Sequence, residues 1–138
     1  MKKYFSFVFV AAALLFASTA QAQELRVKAN IPFDFVVGNT VYSAGTYTIG
    51  PALHSTNAMI LEGPDARNIV MPNRCSSTLP SETTVLVFDR MGDTYFLNQI
   101  WVQGRTDGRE FPKSKAELQL AKNHTPTDNV TIAAQLIR

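Results

Sequence analysis

One cysteine, two histidines and eleven carboxylates are what this 138-residue chain offers to nucleophilic, metal or acid–base chemistry. Their spacing favours none of the three. Cys75 stands in Asn73-Arg74-Cys75-Ser76-Ser77, where a neighbouring guanidinium can lower a thiol's pKa. No Gly-x-Ser-x-Gly elbow and no Cys/His context accompanies it, so the segment reads as a polar loop, Pro72 to Ser81, carrying an inert thiol. A lone cysteine also excludes an internal disulfide framework and a multi-cysteine metal site. His54 and His124 are far apart, and neither has a second histidine at metal-ligand spacing. Asp89 and Asp93 flank a tight turn, but two carboxylates fall short of the oxygen-rich arc that calcium needs. Asp34 lies on the polar side of a strand, Glu110 in a charged stretch, and Glu117 is explained by helix capping. The chain reads as a non-enzyme without cofactor or metal.

Residues suited to binding are more numerous. Tyr95 and Trp101 share one strand, and Tyr42 and Tyr47 lie earlier in the chain; all four could line a sugar-binding face or the mouth of a barrel. Aromatics at alternating strand positions are also ordinary core. Arg105, Arg109, Lys113 and Lys115 form a loose basic cluster suited to an anionic glycan or lipid head group. Asp107, Glu110 and Glu117 are interleaved with them, so a mixed solvated surface is the plainer reading.

The N-terminus sets the compartment. Met1-Lys2-Lys3 is a basic start, Tyr4 to Phe16 is an apolar run, and Ala20-Gln21-Ala22 supplies the small residues a signal peptidase reads. This predicts a signal peptide over 1–22, cleavage before Gln23, and one β-rich domain over 23–138. The apolar run is short for a membrane span, and no later segment is long and apolar enough. Export to the periplasm or the medium is therefore expected. The 13 basic residues exceed the 11 acidic ones by two; Lys2 and Lys3 account for that excess, leaving the mature chain neutral. A nucleic-acid binder needs a clear basic excess, so none is expected.

Periodicity sets the fold class. Leu25, Val27, Ala29, Ile31, Phe33, Phe35 and Val37 are apolar and alternate with polar residues or Pro32, the period-2 pattern of a strand. Pro32 cannot donate to a ladder, so a bend near Asn30–Pro32 should split the run in two. Gly38-Asn39-Thr40 and Ala44-Gly45 mark turns, with a strand at Thr46–Ile49. Ala58–Glu62 and Asn68–Met71 form a hairpin across Gly63-Pro64-Asp65. Thr83–Arg90 and Thr94–Val102 form a second hairpin, with Tyr95, Leu97 and Trp101 on one face and Phe96, Ile100 and Val102 on the other. Asp107-Gly108 reads as a tight turn. Ser114-Lys115-Ala116-Glu117 matches a capping box, opening a helix to about Lys122 that buries Ala116, Leu120 and Ala121 and stops before Pro126. Val130, Ile132, Ala134 and Leu136 mark a final strand. The sum is all-β: an antiparallel sandwich or small barrel of about eight strands with one short helix.

Ile31-Pro32-Phe33-Asp34-Phe35-Val36-Val37-Gly38, followed by Ala44-Gly45-Thr46-Tyr47-Thr48-Ile49, resembles the opening of an uncharacterised family of small exported bacterial β-rich proteins. Asp89–Leu97, Ile100-Trp101 and Gly108-Arg109-Glu110-Phe111-Pro112-Lys113-Ser114 resemble its later segments. The resemblance implies an exported β-domain and transfers no catalytic residue. Two functions fit these expectations. The first is a non-catalytic module that binds a protein partner or a cell-envelope component. The second is a β-barrel carrier of a small apolar ligand, with Tyr95, Trp101 and Tyr47 near the cargo.

Overall fold

The bend at Pro32 does more than split a strand: it carries the chain from one sheet to another. In a computed structural model, which describes residues 26–52, 57–123 and 128–137, β1 (Arg26–Ile31) lies in a five-stranded sheet. Strand β2 (Phe35–Val37) lies in a seven-stranded one. Val27, Ala29, Ile31, Phe35 and Val37 are all buried in one core, so a single alternation supplies both layers. The expectations placed on residues 1–22, His54, His124 and Pro126 lie outside the described residues.

The first sheet has the order β12-β1-β4-β5-β6 and the second β11-β8-β9-β10-β7. The ranges are β4 Gly45–Pro51, β5 Met59–Glu62, β6 Arg67–Val70, β7 Asn73–Ser76, β8 Val85–Met91 and β9 Thr94–Trp101. They continue with β10 Asp107–Glu110, β11 Asp128–Ala133 and β12 Gln135–Ile137. Strand β2 runs parallel to β9, and β3 (Thr40–Tyr42) pairs with β2 alone across the two-residue turn Gly38-Asn39. Gly38 takes φ +60° there, a left-handed value that only glycine adopts without cost. Every other pairing is antiparallel. The fold is an all-β sandwich, not a closed barrel.

Both margins of the sandwich are crossed by the chain itself. At one, β6 leaves the first sheet and β7 enters the second across Met71-Pro72. At the other, β11 leaves the second and β12 enters the first at Ala134, whose N–H donates to the Thr84 carbonyl at 2.9 Å. The expected single C-terminal strand is thus two, in different sheets. Val130, Ile132, Ala134 and Leu136 still pack on the common core.

Phe35, Phe88, Ile31, Ile49, Leu61 and Leu86 are fully enclosed, each worth about 1.5–3 kcal/mol of burial. An aromatic cluster joins the layers. Phe35 meets Tyr47 edge-on at 5.0 Å and Phe88 edge-on at 5.6 Å, geometries that suit the ring quadrupoles.

Four expectations need correction. The Pro72–Ser81 loop contains β7, an edge strand held through Cys75 opposite Gly108. Asp107-Gly108 is not a turn but the start of β10. Its glycine serves close packing: a Cβ there would stand 2.8 Å from both the Ile100 carbonyl oxygen and the Trp101 ring. The β8–β9 ladder slips between Val87 and Phe88, where Phe88 faces Leu97 and Val87 faces Gln99, leaving Asn98 as the extra residue. A bulge reverses the alternation beyond it, so Trp101 lies on the face opposite Tyr95 and Leu97, and Leu97 and Ile100 both enter the core. The helix α1 (Lys115–Asn123) forms as expected but buries Glu117, while Ala116 and Ala121 are exposed. Among the described residues no helix is long and apolar enough to cross a membrane.

Candidate binding groove

Strands β3 and β6 each have a strand neighbour on one side only, and both border the same groove of about 630 Å³. Its remaining wall is the stretch from Phe111 to Lys115 that leads into α1. The floor is apolar. Tyr42 is buried, its ring stacked on Phe35 at 5.3 Å, and Phe111 and Val37 are buried beside it. The side-chain amide of Asn68 donates to the Tyr42 hydroxyl at 2.9 Å, tying β6 to β3. Two exposed apolar side chains, Ile69 and Met71, are among the lining residues, each about two-thirds exposed or more; Val41 on β3 is exposed as well but does not line the groove. Such groups on open strands are unusual, because edges are commonly blunted with charge or proline. Lys113 and Lys115 line the groove, and among the described residues no carboxylate does.

The chain around it is pinned locally. Asp34 accepts from the Ala44 N–H at 2.9 Å, fixing the β3–β4 turn. The Phe111 N–H donates to the Asn98 carbonyl at 2.7 Å, so the bulge of β9 holds the third wall. The Glu117 N–H donates to Ser114 Oγ at 3.1 Å, and the Glu117 carboxylate accepts from the Ser114 backbone N–H, completing the capping box. Burial, and next the Asp89 carboxylate facing it from β8, push the Glu117 carboxyl above its ordinary value; Lys113 opposes this. Asp89 itself is buried and accepts from the Asn98 side-chain amide at 3.1 Å.

The residues expected to bind are dispersed. Lys113 and Lys115 reach the groove, whereas Arg105 and Arg109 line a separate opening between the sheets. Arg105 is engaged by Asp107 through two bonds of 2.9 Å. Tyr47 is a core residue whose hydroxyl donates to the Ser43 carbonyl at 2.6 Å. Tyr95 stacks on Phe33 at 3.9 Å, and the Arg90 guanidinium lies over the Tyr95 ring at 5.6 Å. Trp101 packs against Gly108, and its indole N–H donates to Gln99. None of the three aromatics lines the groove or the inter-sheet opening. Of the aromatics expected to bind, Tyr42 alone lines the groove; Asn68, Ile69 and Met71 carried no signal in sequence, since an apolar strand segment does not reveal which of its sides stays open. Cys75 is half-buried; burial, with Glu110 second, pushes its thiol above the usual range, outweighing nearby Arg109. Among the described residues no three His, Cys, Asp or Glu side chains converge as a metal site would require. No protein-family model, curated protein or solved structure matches this chain.

Proposed function

We propose that the protein is an exported, non-catalytic β-domain of the bacterial envelope or its surroundings that binds an extended segment of a partner protein. The docking place is the groove between β3 and β6. The observation that carries this reading is the pair of open strand edges bordering one groove, with exposed Ile69 and Met71 lining it. An added strand gains main-chain hydrogen bonds from an open edge and specificity from pockets for alternate side chains. Lys113 and Lys115 without a lining carboxylate favour a segment in which acidic residues alternate with apolar ones. Export rests on the basic start, apolar run and Ala20-Gln21-Ala22 of the sequence. The neutral charge of residues 23–138 supports a protein partner over a nucleic acid.

Two synthetic peptides test the assignment, one alternating Val with Asp and one alternating Val with Lys. The Val/Asp peptide is expected to slow amide exchange in Thr40–Tyr42 or Arg67–Val70, with the effect lost in Lys113→Glu/Lys115→Glu. Equal protection by both peptides, or protection by neither, would overturn it.

A further inference from the structure

Arg109 points into the sandwich. It lies opposite Ile100 in the β9–β10 ladder, and residues opposite one another share a face; Ile100 is buried in the core. The Arg109 side chain lines a cavity of about 240 Å³ between the two sheets. Val27 and Met59 wall it from one sheet, Ile100 and Val102 from the other. Nη1 of Arg109 is cut off from solvent and has no hydrogen-bond partner among the described residues. Asp107, on the same strand and also lining the cavity, accepts two bonds from Arg105 and none from Arg109 Nη1. A guanidinium nitrogen enclosed without an acceptor is costly.

We propose that this cavity is a binding site for a small apolar carboxylate, with Arg109 as the anchor for its anionic group and Val27, Met59, Ile100 and Val102 enclosing its hydrocarbon body. A carboxylate supplies what Arg109 lacks, because its oxygens match the guanidinium fork and the bond is charge-assisted. The cavity is smaller than the ~300–1,000 Å³ typical of sites for drug-sized ligands, so the ligand is a short chain or a single ring. The site shares no lining residue with the β3–β6 groove and stands or falls independently of it.

Octanoate, with octan-1-ol as its uncharged counterpart, is the probe, and the methyl signals of Met59 and Ile100 in carbon-detected NMR are the readout. Octanoate is expected to move both signals saturably and to bind at least about tenfold more tightly than the alcohol, the factor one charge-assisted bond supplies. Arg109→Met should reduce octanoate to the level of the alcohol while leaving the unliganded protein as stable or more so, since the buried nitrogen without an acceptor is gone. Lys28→Gln, exposed on β1, should change nothing. Three results would each overturn the assignment: no saturable shift with octanoate, equal binding of acid and alcohol by the unaltered protein, or octanoate binding undiminished in Arg109→Met. The acid-against-alcohol comparison decides the matter if Arg109→Met does not fold.

Discussion

The Asn68 side-chain amide and the Tyr42 hydroxyl meet at 2.9 Å, and this one bond joins two strands that belong to different sheets. Tyr42 is otherwise held by ring contacts with Phe35 and Tyr47, so its hydroxyl has little room to seek another partner.

Tyr42→Phe should therefore keep the fold and lose about 0.5–1.5 kcal/mol, the net worth of a typical hydrogen bond. The midpoint of urea unfolding measures it. Asn68→Ala should cost a similar amount, and the double variant should cost little more than either alone, since both remove the same bond. Additive losses would show that the two side chains act separately.

Glu117→Gln should stabilise the protein at neutral pH. The native carboxyl has a raised pKa because burial and Asp89 disfavour its charge. The native state therefore holds the proton more tightly than the unfolded chain, and stability falls as pH rises from the ordinary carboxylate value through the raised one. Glutamine keeps the oxygen that accepts from the Ser114 N–H and removes the charge facing Asp89, at the loss of the attraction to Lys113. Thermal unfolding from acid to neutral pH should show a smaller decline in this variant than in the unaltered protein.

Gly108→Ala is expected to destabilise by about 1–3 kcal/mol, the usual cost of overpacking. The new methyl would press on the Ile100 carbonyl oxygen and the Trp101 ring, each 2.8 Å away. Adding Trp101→Leu should recover part of the loss but not all, because the carbonyl belongs to the paired strand β9 and cannot retreat. Full recovery in denaturant titrations would mean that the ring alone sets the limit.

Cys75 should react with iodoacetamide only at a pH above that needed for an unhindered thiol, because burial and Glu110 raise its pKa and the thiolate is the nucleophile. In Glu110→Gln the pH–rate profile should move down, and in Arg109→Gln up, since the two neighbours act in opposite directions. A profile unmoved by both variants would show that burial alone sets the reactivity.

Where local chemistry decides, the sequence was readable. The turn at Gly38-Asn39, the bend at Pro32 and the capping box at Ser114–Glu117 rest on short-range geometry, and all three stand in the structure. The errors have non-local causes. Gly108 reads as a turn residue until Trp101 lies against it. Strict alternation puts Trp101 on the face of Tyr95, because the extra residue of a bulge is visible only in pairing with a second strand. The apolar face expected of α1 gave way to Glu117, since the helix rests on a β8 surface that carries buried Asp89.

The candidate site was legible only in part. Lys113 and Lys115 were singled out as basic residues and do line the groove. Their separation from Arg105 and Arg109 follows from the direction of β10 and of the segment after it, which composition does not contain. The inward aim of Arg109 required its register against Ile100.

By itself the amino-acid sequence determined the all-β class and the inward-facing residues of β1, β2, β11 and β12, because a period of two is written residue by residue. Only the tertiary structure decided which sheet each half of those runs joins, which two of the edge strands border one groove, and which guanidinium nitrogen is buried without an acceptor among the described residues. Each of these depends on contacts between residues distant along the chain, and a local pattern is the same whichever partner is found.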